Sequence, residues 1–234
     1  MDWSAHEAAL FDLDGVITPT AEIHMRAWSE MFNAFLDADQ PRYTDDDYFR
    51  FVDGKPRYDG VRDFLASRGI TLPDGAPTDE PDARTVCGLG NRKNQQFNLI
   101  IERDGIAPYP GSKRLIEALA EQGVKLAVVS SSKNAPAVLR AAKMDHFFEV
   151  IVDGNVAARE HIPGKPAPDM FRRAAELLHA DERRCVVLED AISGVQAGAA
   201  GDFALVVGVD RGVGPDELSK AGAGIVVEDL EELL

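Results

Sequence analysis

From about residue 109 onward, short apolar runs alternate with helical patterns, and this alternation constrains the fold more than any other feature. Leu115, Ile116 and Leu119 mark a helix closed by Gly123, after which residues 124–129 read as a buried strand. The spacing then predicts a helix over 135–142, a strand over 148–152, a helix over 167–179 and a strand over 185–188. A helix over 191–200, a strand over 203–209 and a last strand at 225–227 follow. Strands separated by helices pair in parallel, with helices on both faces of the sheet. Far upstream, Ala8-Ala9-Leu10-Phe11 is apolar without a break, as a strand covered on both faces must be. That run is assigned to the same sheet. If its extended geometry persists through Leu13, Asp12 and Asp14 point to one side.

The stretch between the first strand and the rest reads as helical. Residues 22–37 are amphipathic, with Ile23, Trp28, Met31, Phe32 and Phe35 on the apolar face. Thr44 reads as a helix cap, and Asp45-Asp46-Asp47 as a first turn matched to the helix dipole rather than a metal site. Residues 61–67 and 94–103 give further helices, separated by an irregular loop at Pro73-Asp74-Gly75-Ala76-Pro77 and Pro81-Asp82. The expected architecture is an α/β core of residues 1–20 and 106–234, with residues 21–105 inserted as a helical lid over the strand ends.

The chain has 234 residues, enough for a core domain and a smaller one. A net charge of −15 argues against nucleic acid and against anionic membrane surfaces as partners. An acidic chain binds an anionic metabolite only through local cations or a metal. The two cysteines, Cys87 and Cys185, stand in no metal spacing and suit a reducing cytosol. Met1-Asp2-Trp3-Ser4 has neither the basic nor the apolar region of a signal peptide. No apolar stretch approaches the roughly 18–20 residues of a membrane span.

Polar residues gather where the strands end. Asp12 and Asp14 follow the first strand, and Gly15 permits a sharp turn. Such a pair is either chemistry, one acid attacking or binding metal while its neighbour moves protons, or a solvated turn. Ser130-Ser131-Ser132-Lys133-Asn134 opens a helix and is either an anion site or an ordinary cap. Lys165, in Gly164-Lys165-Pro166, either neutralises a phosphate or is solvated. Glu189 and Asp190 close the 185–188 strand. Four carboxylates in one cleft repel unless a cation sits among them, and their oxygens suit Mg²⁺, with Lys165 as the fixed charge.

FDLDGV, VVSSSKN, GKPAPD and VLED, in that order and at those strand ends, resemble the motifs of the haloacid dehalogenase superfamily of phosphotransferases. The helical insertion resembles that superfamily's α-helical cap, and the core its Rossmann-like sheet. The resemblance implies that Asp12 is the nucleophile and Asp14 the general acid/base. It implies a Mg²⁺ ion on Asp12, the Asp14 carbonyl and Asp190, with Glu189 a direct or water-mediated partner. Ser130, Ser131 and Lys165 would hold the transferring phosphoryl group.

The insertion is similar to that of the β-phosphoglucomutase-like subfamily. Thr20 and His24 match its hinge and first cap helix, Gly54 and Arg57 its grip on the non-transferring phosphate, and Lys93 its sugar contact. Ser132, Lys133 and Asn134 match the core side of that second phosphate site. Taken singly, His24, Arg57 and Lys93 are surface residues, Gly54 serves a turn, and Trp28 is cap core or sugar-facing wall. Pro19, where the family often has an acid, and longer loops at 73–82 and 159–163 depart from the pattern. The resemblance implies a cytoplasmic, monomeric enzyme acting on a small sugar phosphate. Such an enzyme would interconvert β-D-glucose 1-phosphate and glucose 6-phosphate through an aspartyl phosphate and glucose 1,6-bisphosphate. The alternatives are a sugar-phosphate phosphatase and, from another class, a non-catalytic binding module.

Overall fold

Strand β1 (Ala8–Phe11) lies in the middle of a six-stranded parallel sheet. On one side stand β2 (Lys125–Val129) and β3 (Val150–Val152). On the other stand β4 (Cys185–Glu189), β5 (Leu205–Val209) and β6 (Ile225–Val227), giving the order β3-β2-β1-β4-β5-β6. The computed structural model describes residues 1–53 and 55–234. They divide into two units, one of Met1–Thr20 with Ile106–Leu234 and one of Ala21–Gly105.

In the first unit, every residue of β1 is fully buried, which explains its unbroken apolar run. Ala8 and Leu10 join Ala127, Val129, Cys185 and Val187 in one cluster with Met170, Phe171, Ala174 and Ala175 of the helix Asp169–Leu177. The alternation along β1 sends Ala9 and Phe11 to the opposite face, where Phe11 meets Phe148 edge-on at 6.1 Å. Helix Pro110–Glu121 buries the expected stripe of Leu115, Ile116 and Leu119.

Register decides where the chemistry falls. Phe11 pairs with Val128 on one side and Leu188 on the other. The next residue, Asp12, is therefore level with Val129 and Glu189, and its N–H continues the ladder to the Leu188 carbonyl at 2.9 Å. Extended geometry does not persist through Leu13, as the alternation argument required. Instead the Leu13 carbonyl accepts the N–H groups of Ile17 (2.9 Å) and Thr18 (3.0 Å), and the Gly15 N–H bonds the Thr18 carbonyl at 2.8 Å. This closed turn needs Gly15 at φ 85°, so it is the turn, not strand alternation, that sets the direction of Asp14.

Two helices of this unit, Gly154–Glu160 and Pro215–Ala221, carry too few apolar residues to show in the pattern. The first fills the approach to Lys165 that reads from sequence as a lengthened loop. His161 ends it in the left-handed conformation, at φ 56°.

The second unit holds the helices Thr20–Phe35, Asp45–Asp47, Arg57–Ser67 and Val86–Asp104, with a wider π-type turn at Tyr48–Val52. Its core is aromatic. Trp28, Phe32, Tyr43, Tyr48 and Phe64 are all buried, and the Phe32 and Phe64 centroids lie 4.0 Å apart. Trp28 is thus part of this core. Thr44 caps its helix in a capping box with Asp47, and Asp47 also takes Arg68 at 2.6 Å, so the acidic run is structural at that residue.

Helix Val86–Asp104 begins eight residues before its periodicity shows. Thr85 caps it by accepting the Gly88 N–H at 2.9 Å, and a Cβ at Gly88 would collide with the Ala83 carbonyl. Loop residues 73–84 are pinned to this helix. The Asn91 amide donates to the Pro77 and Asp79 carbonyls (3.1 and 2.8 Å), and Arg92 to that of Pro81 at 2.7 Å. Among the described residues no helix is long and apolar enough to cross a membrane.

Candidate active site

Lys165 reaches the strand ends from the loop before helix Asp169–Leu177. Its ammonium donates to Asp12 Oδ1 at 2.5 Å, to Glu189 Oε1 at 2.6 Å and to the Val129 carbonyl at 3.1 Å. Three buried acceptors are what a buried ammonium needs, since it has three donors. Burial alone would lower the pKa of Lys165, but the charges of Asp12 and Glu189 outweigh it and hold the pKa above the ordinary lysine value. Burial pushes the Asp12 carboxyl well above the usual carboxylate range. Lys165 opposes that shift, and the Glu189 and Asp14 charges add to it. The carboxylates around Asp12 thus outnumber the one cation that faces it.

Glu189 has both oxygens engaged. Oε1 takes Lys165, and Oε2 accepts the Ala191 N–H at 2.8 Å at the start of helix Ile192–Ala199. Expected as a direct or water-mediated partner of the metal, it is the buried counter-charge of Lys165. Asp190 lies on the other side, with its carboxylate against the α-carbon of Gly15. A Cβ at that glycine would overlap it. Asp14 is half-buried, and its carboxylate accepts the hydroxyl of Thr20, which is also 2.9 Å from that of Thr18. Thr20 is fully buried.

Ser130 extends β2 by one more ladder bond, its N–H donating to the Val152 carbonyl at 3.0 Å. Its hydroxyl accepts the Ser132 N–H at 3.1 Å, and the Ser132 hydroxyl accepts the Asn134 N–H at 3.2 Å. These bonds curl Ser130 to Asn134 into a tight loop, with Ser131, Ser132 and Asn134 half-buried and Lys133 exposed. A turn that the motif reading missed braces it from behind. The Gly154 N–H reaches the Ser132 carbonyl at 3.3 Å, the Asn155 amide the Lys133 carbonyl at 2.9 Å, and a Cβ at Gly154 would meet the Ser131 carbonyl. The signal available was Asp153-Gly154-Asn155, a turn sequence directly after a strand.

Among the described residues no three His, Cys, Asp or Glu side chains form a metal cage. With Glu189 direct or through water, the oxygen donors that could hold a metal here are the carboxylates of Asp12 and Asp190 and the Asp14 carbonyl. The missing Cβ of Gly15 lets Asp190 approach that backbone. A sparse, all-oxygen set completed by water is the donor chemistry of Mg²⁺.

In the helical unit, Lys93 and His24 are paired through His24 Nδ1. The His24 ring stacks on Phe97 at 4.1 Å, and the Lys93 ammonium lies 5.1 Å from the Trp28 ring centroid and 4.8 Å from that of Phe97. Arg57 donates to Asn94 Oδ1 at 2.8 Å, and burial pulls the pKa of its guanidinium below the ordinary value. Gly54 lies outside the described residues.

A family model of haloacid dehalogenase-like hydrolases matches residues 6–202. The chain belongs to that family. A β-phosphoglucomutase of Mycobacterium tuberculosis is 48% identical to it, over 97% of this chain and 91% of the relative. A β-phosphoglucomutase structure from Clostridium difficile matches with a TM-score of 0.78 at 25% identity, covering 98% of this chain and 93% of the other. A variant of CbbY from Rhodobacter sphaeroides, solved with xylulose 1,5-bisphosphate, matches with a TM-score of 0.77 at 26% identity, covering 97% and 96%. Within its family the protein is β-phosphoglucomutase-like, an enzyme of the isomerase and phosphotransferase type.

Proposed function

We propose that this enzyme interconverts β-D-glucose 1-phosphate and glucose 6-phosphate, with Mg²⁺, through an aspartyl phosphate on Asp12 and glucose 1,6-bisphosphate. Phosphorylated Asp12 gives its phosphoryl group to the 6-hydroxyl of glucose 1-phosphate, whose proton Asp14 takes, and glucose 1,6-bisphosphate forms. Asp12 then attacks the phosphorus at C1, and Asp14 returns the proton to the leaving sugar oxygen as glucose 6-phosphate departs. Lys165, Ser130 and Ser131 neutralise and hold the phosphoryl oxygens while the attacking and leaving atoms stay in line. Bound at Asp12, Asp190 and the Asp14 carbonyl, Mg²⁺ would supply the positive charge that the surplus of carboxylates calls for. Glu189 stands behind Lys165, and Thr20 steadies Asp14.

The observation that carries the mutase over a phosphatase is Arg57. It is a half-buried cation whose hydrogen-bond partner, Asn94, is a neutral amide, so that contact leaves its charge free for an anion. Hydrolysis of one phosphate needs no such second cation, whereas a bisphosphate intermediate does. Ser132, Lys133 and Asn134 serve the same second phosphate from the core, and His24 and Lys93 the sugar. The two free cysteines support a cytoplasmic setting.

The test supplies β-glucose 1-phosphate, Mg²⁺ and a trace of glucose 1,6-bisphosphate, and follows glucose 6-phosphate and free phosphate together. Isomer forming well ahead of phosphate supports the mutase. Phosphate release without isomer overturns it in favour of the phosphatase. Asp12→Asn abolishes turnover in either case.

A further inference from the structure

The turn after Asp14 presents three consecutive carbonyls outward, and each is taken by a different donor. Gly15 O accepts Arg211 Nε at 2.8 Å, Val16 O accepts the Ser112 hydroxyl at 2.6 Å, and Ile17 O accepts the Tyr109 N–H at 2.9 Å. Ser112 and Tyr109 come from the start of helix Pro110–Glu121. Arg211 comes from the far side of the sheet, two residues past the end of β5, a strand end to which the mechanism assigns nothing.

Arg211 is held ready for this contact. Its guanidinium carbon lies 3.9 Å from the Tyr109 ring centroid, and a second nitrogen donates to the Glu228 carbonyl at 2.9 Å. The backbone beneath it is tied as well. The Asp210 N–H bonds the Val227 carbonyl at 2.8 Å, and the Asp210 carboxylate accepts the N–H groups of Gly212 and Gly214 at 2.8 and 3.0 Å. An arginine side chain already held by the Tyr109 ring and the Glu228 carbonyl loses little freedom when it takes up the Gly15 carbonyl.

The residue it holds most needs holding. Gly15 follows Asp14 directly, sits at φ 85° and has no Cβ to limit its ψ. Its N–H is fixed within the turn, but its carbonyl is fixed only from outside, by Arg211. The Gly15–Val16 peptide closes the turn in which the Gly15 N–H bond to Thr18 fixes the Asp14–Gly15 peptide, so loosening that turn loosens the Asp14 backbone, and with it the carboxyl that must meet the leaving oxygen.

We propose that Arg211 is a positioning residue for proton transfer: by pinning the Gly15 carbonyl it sets the stance of Asp14. This rests on the reading of Asp14 as the acid/base, and it is independent of which sugar phosphate is used. Its signature is selectivity for the leaving group, because only a basic leaving group needs the proton. The experiment measures enzyme phosphorylation in single turnovers with phenyl phosphate and with p-nitrophenyl phosphate, whose leaving anion departs unaided.

Arg211→Ala should slow the phenyl reaction about ten-fold or more and the nitrophenyl reaction less than about three-fold, since small misplacements of a catalytic group cost up to ~10²-fold. Arg211→Lys, which keeps a donor toward Gly15, should restore most of the difference. Arg211→Met keeps the stack on Tyr109 without the donor and gives the same reading if the alanine variant does not fold. Equal slowing of both substrates, or no slowing, overturns the proposal. Asp14→Asn separates the two ideas. If it discriminates between the esters and the Arg211 variants do not, Arg211 has no such role. If it does not discriminate, the acid/base reading falls and this proposal with it.

Discussion

Lys165 and Glu189 form an ion pair at 2.6 Å in which each side chain is 1% exposed. Removing one member of such a pair costs more than the pair contributes, because the other charge stays buried. Glu189→Gln therefore lowers stability by about 3 kcal/mol or more, a fall in Tm of roughly 6–12 °C for a chain of this size. The pH dependence has a definite sign. The pKa of Lys165 is raised on folding, so its contribution is complete below the ordinary lysine value of 10.5 and is lost only as pH climbs beyond it. Lys165 therefore adds no pH dependence to the gap between the two melts from pH 6 to 9. A gap that shrinks as pH rises in that range would be due to Asp12, whose carboxyl Glu189 helps to push above the usual range, and a gap that widens would contradict both assignments.

Gly15→Ala meets two obstacles at once. The position has φ 85°, which L side chains resist, and the new Cβ would enter the Asp190 carboxylate. Asp190 must shift away from the Asp14 backbone. The expected result is loss of nearly all turnover together with weaker Mg²⁺ binding, read by calorimetric titration of the metal. Wild-type affinity in this variant would remove Asp190 and the Asp14 carbonyl from the proposed donor set.

The sheet was legible because its four inner strands are largely buried on both faces and its helices keep a clean apolar stripe. Helices Gly154–Glu160 and Pro215–Ala221 were not, since capping and turn chemistry hold them where periodicity is absent. At the site, the strand-end rule pointed to Asp12, Glu189 and Asp190, and Lys165 stood out only through its setting in Gly164-Lys165-Pro166, before a helix. The rule could not tell that Glu189 faces Lys165, because that depends on packing between segments far apart in the chain. Asp14 was located for a reason the structure replaces, a closed turn instead of continued strand. Arg211 lies at a strand end too, in Val209-Asp210-Arg211-Gly212, and went unremarked because no motif surrounds it.

Asn91 is the latch of the long loop in the helical unit. Its amide serves two loop carbonyls, and its oxygen accepts the Tyr58 hydroxyl at 3.0 Å. Asn91→Ala leaves those groups to find water, at a cost of about 1–3 kcal/mol. Limited proteolysis should then cut within residues 73–84 in the variant well before the native chain. Identical digestion patterns would mean that Arg92 and the Thr85 cap suffice to hold the loop.

Cys185 is the opposite of a reactive thiol. Burial, reinforced by the nearby Glu7, Asp181 and Glu182 charges, pushes it from 9.0 up to about 12. The folded protein thus favours the neutral thiol. The stability this gives is present below pH 9 and is lost as pH rises toward 12. At pH 8 iodoacetamide should leave Cys185 unmodified in the native protein and label it once urea unfolds the chain, as peptide mass mapping would reveal. Rapid native labelling would contradict the burial.

Arg57→Ala separates the two jobs a phosphate site can have. The core groups Asp12, Asp14 and Lys165 act on the phosphoryl group being transferred, so hydrolysis of p-nitrophenyl phosphate, which has no second phosphate, should change less than about two-fold. In the proposed route isomerisation of glucose 1-phosphate passes through a species with two phosphates, and loss of a half-buried cation that grips one of them should cost on the order of 10²-fold in kcat/KM, about 2.7 kcal/mol. A charge lost from binding alone raises KM, whereas a charge that also orients the bisphosphate for its second transfer lowers kcat as well. The kcat term should therefore fall along with the rise in KM. Equal losses on the two substrates would mean that Arg57 supports the fold of the helical unit and does not read the distal phosphate.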